Sequence, residues 1–173
     1  MTFTDVKQQL KQLDYDKLIA LLGELYKKHK AVKEHLDFMI APNERELFAK
    51  YEDKVIQAFF PKRGDRLSLA DGKKAISDFK KMGCSLALVA ELMLVYAESG
   101  VEFTKQYGDI NGNFYTSVAS VYHQALEIME KENILPLFQA RAKKLLKITE
   151  DFGWGFYDDL TYSYEKFYKN LLS

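Results

Sequence analysis

The sequence contains little glycine, proline or cysteine. Its 173 residues include nine glycines, three prolines and one cysteine, Cys84. A chain with so few turn-forming residues is unsuited to an all-β fold built from many tight turns. A single cysteine excludes an intramolecular disulfide and a cysteine-based zinc site. We therefore expect a protein of a reducing compartment, the cytoplasm.

The sequence also lacks net charge and a long apolar segment. Its 25 Lys and Arg residues balance 25 Asp and Glu residues, whereas nucleic-acid binding depends on clustered positive charge. The longest apolar run, Leu86 to Tyr96, covers only about half of the ~20 residues of a transmembrane helix. The first residues lack the pattern of a signal peptide. These features argue against nucleic acid and membranes as partners.

Apolar residues recur at intervals of three and four along most of the chain, which is typical of amphipathic helices. No segment shows sustained alternation with period two, so no strand is predicted. We predict an all-α fold: a single domain over residues 1–173, either a helical bundle or an irregular array of helical hairpins, with six to eight helices. Residues 1–13 are expected to be a loosely packed lead, and residues 153–173 an aromatic C-terminal helix.

The segment from Cys84 to Phe103 is predicted to be the central helix, because apolar residues fall on nearly every face of it. Glu91 lies inside this apolar segment, and Glu98 lies two turns further along the same face. Buried carboxylates must be paired, solvated in a cavity or neutralised. Two interpretations stay open: a structural pairing with a Lys or Tyr of a neighbouring helix, or a small-ligand site.

His29 interrupts a stripe of apolar residues on a helix predicted to run to about Ile40. A buried imidazole needs partners for its ring nitrogens. His29 is therefore either a core histidine bonded to a neighbouring helix or a ligand-binding residue.

Two groups of residues resemble parts of metal sites. Asp109, Asn111 and Asn113 match the first three ligand positions of a calcium-binding EF-hand loop. The match fails at Phe114 and Ser120, so the alternative is a polar turn in which Asn113 caps the next helix.

His123 and Glu127 lie one helical turn apart and form the second group. They could supply two metal ligands, or they could be an exposed helix pair. The sequence has no Glu-x-x-His pair of a di-iron bundle and no G-x-S-x-G, H-E-x-x-H or C-x-x-C motif. We name no catalytic residue and predict no cofactor.

The last part of the chain is rich in aromatic residues, eight of which lie between Phe152 and Tyr168. Tyrosine and tryptophan are enriched at protein interfaces. The candidate interface residues are Trp154, Phe156, Tyr157, Tyr164 and Tyr168. The alternative is a C-terminal helix that closes the core. Two basic clusters, Lys27 to Lys33 and Arg141 to Lys147, are interpreted as solvated helix faces.

One segment, Leu25 to Pro61, resembles a known family. The matching pieces are the start at Leu25-Tyr26, the steps VKE and LDF, the break at Pro42-Asn43 and the close at FFP. The segment is similar to the N-terminal region of a family of small bacterial helical proteins of unknown function. The resemblance implies a bacterial, cytoplasmic, all-helical protein without an assigned activity, and it supplies no catalytic residues.

The pattern as a whole favours a non-enzymatic helical protein that acts by protein–protein interaction, with a second copy of the chain as one candidate partner. The alternative is a protein that binds a small ligand or a metal at an interhelical site near Glu91, His29 and His123.

Overall fold

A computed structural model describes residues 1–64 and 66–169, and every regular element within them is an α-helix. The predicted all-α class is therefore confirmed. The helices are α1 Phe3–Leu10, α2 Tyr15–Lys28, α3 Lys30–Ile40, α4 Glu44–Phe59, α5 Leu69–Lys81, α6 Leu86–Tyr107, α7 Gly112–Lys131, α8 Leu135–Thr149 and α9 Phe156–Tyr168. Residues 170–173 of the predicted C-terminal helix lie outside the described part of the chain.

The described residues form nine helices, which exceeds the predicted six to eight, because the helix expected to reach Ile40 is broken at His29. The backbone there is extended, with φ −123° and ψ 109°. Across the break, the Tyr26 hydroxyl donates to Asp37 at 2.8 Å and accepts from the Lys33 ammonium at 2.6 Å. These bonds hold α2 and α3 together. No proline or glycine marks the break, so the sequence pattern does not reveal it.

The helices group into two compact units, Met1–Asn43 and the chain from Glu44 onward. The first unit contains α1, α2 and α3. A capping box begins α1, in which Thr2 and Asp5 exchange hydrogen bonds, and Asp14 caps α2 through the Lys17 amide at 2.8 Å. None of residues 1–43 is buried.

The second unit is built around α6. Twelve of the 22 residues of this helix are buried, and α4, α5, α7 and α8 all pack against it. The apolar segment predicted to be central therefore has this position in the fold. At its start, the Glu44 carboxylate of α4 accepts from the Ser85 amide at 2.9 Å. This bond satisfies one of the free amides at the start of α6, where the Ser85 side chain forms no capping hydrogen bond.

Gly100 allows α6 and α7 to approach closely. A Cβ atom added at Gly100 would lie 2.6 Å from Cγ2 of Val118, a distance that non-bonded carbon atoms do not reach. The glycine is therefore required by helix packing and not by a bend in α6.

The last helix, α9, packs on α7 and α8. Two buried tyrosines in this part of the core have partners for their hydroxyl groups. Tyr122 donates to the carbonyl of Ala142 at 3.3 Å, and Tyr168 donates to that of Leu135 at 3.0 Å. Burial raises the pKa of both tyrosines, so both remain neutral donors.

Within the described ranges, none of the helices combines the length and the apolar character that a membrane crossing requires.

Candidate interaction surface around Trp154

Glu91 and Glu98 are paired with an arginine. Arg141 of α8 donates to both Glu98 oxygens, from Nε at 2.9 Å and from Nη2 at 2.7 Å, and to Glu91 from Nη1 at 2.7 Å. About one third of each of the three side chains is exposed. The hydrogen bonds to Glu98 raise the pKa of the guanidinium. Of the two interpretations of Glu91 and Glu98, the structural pairing is the one that resembles the observed geometry. The partner, however, is an arginine and not the expected Lys or Tyr.

The contacts of Arg141 also correct the interpretation of the basic cluster Arg141 to Lys147. The prediction of a solvated face is wrong for Arg141, which is half-buried and whose Cζ lies 5.8 Å from the Phe138 ring centroid. Only arginine can bind one carboxylate with two parallel N–H bonds and still reach a second carboxylate. The sequence has four arginines among its 25 basic residues, and this scarcity is a usable signal.

His29 does not occupy a core seam. It lies at the break between α2 and α3 and is exposed, so its ring can bond to water and needs no buried partner. The prediction of a core histidine is wrong, because the stripe on which it rested assumed one continuous helix.

The three residues of the EF-hand-like sequence have separate roles. Asn111, and not Asn113, caps α7 by accepting from the Phe114 amide at 3.0 Å. Both oxygens of Asp109 accept hydrogen bonds, from Tyr115 and from Trp154, and Asn113 is exposed. The residues described by the structure include no cluster of three His, Cys, Asp or Glu side chains able to hold a metal ion.

His123 belongs to a network across α7 and α9. Its Nε2 lies 3.3 Å from the Lys166 ammonium, and its Nδ1 lies 2.9 Å from the Ser163 hydroxyl, which in turn donates to the Asp159 carbonyl at 3.0 Å. Because an ammonium has no acceptor, Nε2 must be unprotonated and Nδ1 carries the proton. Ser163 is buried and its oxygen accepts the hydrogen bond from Nδ1–H, so His123 cannot act as a base on the Ser163 hydroxyl.

The network also differs from the predicted pair of His123 and Glu127, because each of the two side chains has another partner. Glu127 binds Lys131 at 2.9 Å, and the Lys166 ammonium occupies the side of the imidazole that a cation would need. A metal ion at His123 would have to displace this positive charge. Ser163 and Lys166 lie about 40 residues away in the sequence, and no local pattern connects them to His123.

The protonation of His123 predicts a pH dependence of stability. Burial and then Lys166 lower its pKa below the ordinary 6.5, and Glu127 opposes them. The unfolded chain therefore binds more protons below pH 6.5 than the folded chain does, and the free energy of unfolding should fall as the pH drops from about 7 to 5. Urea unfolding at several pH values should show a positive slope that is smaller in His123→Gln. Equal slopes would contradict the prediction.

Cys84 is buried and packs as a small residue. Burial, and then the nearby Glu44 carboxylate, raise the pKa of its thiol. A thiol with a raised pKa is a poor nucleophile and a poor metal ligand.

Most of the predicted aromatic interface belongs to the core. Phe156 and Tyr168 are fully buried and Tyr164 is 9% exposed, so none of the three can face a partner. They line the face of α9 that packs on α7 and α8, and Tyr157 is half-buried. Of the five predicted interface residues, Trp154 alone is largely exposed, at 63%.

Trp154 is fixed in place although it is exposed. Its indole Nε1 donates to Asp109 at 2.9 Å, and a Cβ added at Gly112 would lie 3.3 Å from the indole ring. Trp154 therefore joins the loop before α9 to the loop before α7 and to the first residue of α7. Asp109 is held in turn by the Tyr115 hydroxyl, and burial together with Asp109 raises the pKa of Tyr115.

The backbone at Trp154 is strained. Its φ is +61°, a left-handed conformation that costs an L-residue with a bulky side chain roughly 1–2 kcal/mol. Gly155 follows with φ +70°. Strain of this kind persists where the surrounding structure enforces it, and it concentrates at functional sites.

The sequence around Trp154 is acidic. Residues 148–165 contain five carboxylates and no lysine or arginine. Asp158 and Asp159 lie in the first turn of α9, where they favour the helix N-terminus. Glu150 and Asp151 are exposed and form no ion pair with any other residue the structure describes. We call Trp154, Asp109, Gly112 and these four acidic residues the Trp154 surface.

Comparison with known proteins identifies the family. A family model, described as a family of unknown function, DUF6155, matches residues 1–171. The chain belongs to the DUF6155 family. Searches of curated proteins and of solved structures found no match.

The DUF6155 match spans both compact units and all nine helices described. The predicted resemblance to a family of unknown function is confirmed, and it extends well beyond the segment Leu25 to Pro61 on which the prediction rested. The DUF6155 description assigns no activity.

Proposed function

We propose that this DUF6155 protein is a non-enzymatic helical protein that binds another protein through the Trp154 surface. The observation that carries the proposal is Trp154 itself: the only tryptophan of the chain is exposed, strained and held in a fixed orientation. A rigid exposed tryptophan contributes a large contact area with little loss of side-chain entropy, which is why tryptophan is enriched among the residues that dominate binding energies.

The chemistry of the surface defines the partner. The indole N–H already binds Asp109, so the ring offers an apolar face and little further hydrogen bonding. The exposed carboxylates next to Trp154 in the sequence favour positive charge. The expected partner is therefore a protein segment that combines lysines or arginines with an apolar anchor. A reducing compartment fits the buried, unpaired Cys84, and we propose the cytoplasm as the location.

The exposed position of Trp154 is explained better by a role in binding than by a role in the stability of the fold. Replacement with glycine removes one exposed hydrogen bond, worth about 1 kcal/mol, and relieves a left-handed backbone at a gain of similar size. Trp154→Gly should therefore change the free energy of unfolding by no more than about 1 kcal/mol. This variant separates loss of the surface from loss of the fold.

The test is a quantitative capture experiment. Full-length wild type, Trp154→Gly and the control Leu137→Gln are immobilised at equal density, and bound proteins are measured from a lysate of the source organism. Leu137 on α8 is 76% exposed, so the control removes an equally accessible apolar side chain elsewhere. We expect a basic protein to be retained by wild type and by the control, and to be lost from Trp154→Gly.

Salt gives a second readout in the same experiment. Because the proposed partner is basic, its retention should weaken as the ionic strength rises. The proposal fails if no protein distinguishes wild type from Trp154→Gly, or if every protein lost is acidic and insensitive to salt.

The residues predicted to form the small-ligand or metal site are either engaged by other side chains or exposed. Arg141 occupies the carboxylates of Glu91 and Glu98, Lys166 lies against His123, and His29 is remote from both in the sequence and exposed.

A further inference from the structure

The first compact unit lacks a core of its own. No residue of Met1–Asn43 is buried, and eight large apolar side chains of this short unit are exposed. They are Met1, Phe3, Val6, Tyr15, Ile19, Leu22, Met39 and Ile40. A segment of about 40 residues rarely buries enough apolar surface to be stable alone, and oligomerisation is a common remedy.

The leucines of α2 form one narrow stripe. Leu18, Leu21, Leu22 and Leu25 lie within about 100° of the helix circumference. Three of them are half-buried, and Leu22 is 45% exposed. The stripe is therefore only partly covered within the chain.

Charged residues follow one edge of this stripe in an alternating order. From the N-terminal cap to the last turn they are Asp14, Lys17, Glu24 and Lys28. Within the chain, Lys17 binds Asp14 at 2.7 Å and Lys28 binds Glu24 at 3.3 Å. More than half of each of these side chains is exposed, so such pairs hold little energy and can exchange partners.

This order is self-complementary when the helix is turned end for end. About a midpoint near Leu21 and Leu22, Leu18 of one helix comes opposite Leu25 of the other, and Leu21 comes opposite Leu22. Along the edge, Asp14 then lies within one residue, about 1.5 Å, of the level of Lys28, and Lys17 lies within two residues, about 3 Å, of the level of Glu24. Long charged side chains span such displacements, so every charge of this edge has an opposite charge within reach, and every leucine of the stripe meets a leucine.

We propose that α2 is a self-association helix that binds α2 of a second copy of the chain in an antiparallel, two-fold arrangement. A two-fold interface requires a surface that complements itself, and the arrangement of leucines and charges about the middle of α2 has this property. An unrelated partner would place no such demand on the order of the charges. This contact uses residues of the first unit only, and it is independent of the Trp154 surface.

Charge reversal gives a specific test on the full-length chain. Lys17→Glu alone places a new carboxylate opposite Glu24 of the second copy, and Glu24→Lys alone places a new ammonium opposite Lys17. Mixed together, the two variants restore opposite charges at both positions. Sedimentation of wild type over a range of concentrations should show a monomer–dimer equilibrium. Each variant alone should dimerise about tenfold more weakly, and the equimolar mixture should recover the wild-type affinity.

A third variant tests the leucine stripe. Leu22→Glu in the otherwise wild-type chain should abolish dimerisation. When it is added to both charge variants, their equimolar mixture should no longer recover the wild-type affinity. The helical circular dichroism of the chain should stay unchanged in each case. Met39→Glu on α3, a side chain 62% exposed, is the matched control and should dimerise as wild type does.

Several outcomes would overturn the proposal. These are a wild type that is monomeric at every concentration, charge variants that dimerise as wild type does, and a mixture that fails to recover. A dimer that is lost in Trp154→Gly but kept in Leu22→Glu would place self-association at the other surface and would also overturn it.

Discussion

Replacement of Arg141 with methionine should lower the free energy of unfolding by about 2 kcal/mol. Methionine retains much of the packing against Phe138 but leaves the Glu91 and Glu98 carboxylates without their cation. Breaking a fully buried ion pair costs roughly 3–5 kcal/mol, and a smaller loss is expected here because about one third of each side chain is exposed. Urea unfolding of wild type and variant measures the difference.

Two further variants show whether the charges are responsible. Arg141→Lys keeps the positive charge but cannot form the two-pronged contact with Glu98, so an intermediate loss of about 1 kcal/mol is expected. Addition of Glu91→Gln and Glu98→Gln to Arg141→Met removes the unpaired carboxylates and should recover most of the lost stability. A loss below about 0.5 kcal/mol in Arg141→Met would contradict the assigned role.

Gly100→Ala should also destabilise the protein by about 2 kcal/mol, although helix propensity alone predicts a gain of about 1 kcal/mol. The added Cβ would lie 2.6 Å and 2.9 Å from the two Cγ atoms of Val118. Because Val118 is fully buried, relief requires α6 and α7 to separate, and overpacking of this kind typically costs roughly 1–3 kcal/mol. Thermal or urea unfolding measures the change.

A glycine without close neighbours provides the control. An added Cβ at Gly23 of α2 would meet nothing within 4 Å, so Gly23→Ala should be neutral or stabilising by up to about 1 kcal/mol. Val118→Ala, which creates a cavity on its own, should cost less when combined with Gly100→Ala. Independent effects of the two substitutions would contradict a direct contact.

The fold class could be predicted because its signals are local. The apolar faces of the helices repeat at intervals of three and four residues, and prolines at positions 42 and 61 lie where helices end. The apolar run from Leu86 to Tyr96, interrupted only by Glu91, correctly indicated the central helix. Each of these features depends on residues within a few turns of one another, and a single sequence records them.

The arrangements that bring distant residues together could not be predicted. Arg141 lies 50 residues from Glu91, and Trp154 lies 45 residues from Asp109, so neither pairing leaves a pattern in the local sequence. The break at His29 has no proline or glycine to mark it, and the hydrogen bonds that span it join Tyr26 to Lys33 and Asp37. The aromatic composition near the C-terminus was visible, but composition does not distinguish Trp154, which faces solvent, from Phe156, which is buried.

The division into two units adds a distinction that the sequence does not show. Residues 1–43 have the same amphipathic pattern as the later helices, yet none of them is buried, whereas α6 alone contributes twelve buried residues. A hydrophobic stripe predicts that a face will be covered. It does not say whether the cover comes from the same chain or from another molecule.

Site-specific photocrosslinking beside Trp154 tests the central claim most directly. A benzophenone amino acid replaces Tyr157, a half-buried aromatic residue three positions from Trp154, in the full-length chain and, as the control, Leu137, and the protein is irradiated in cells of the source organism. The account predicts a light-dependent adduct with a basic protein from position 157, which is lost when Trp154→Gly is added, and none with that protein from position 137. The absence of any adduct at position 157, or the same adducts in equal yield at both positions, would contradict it.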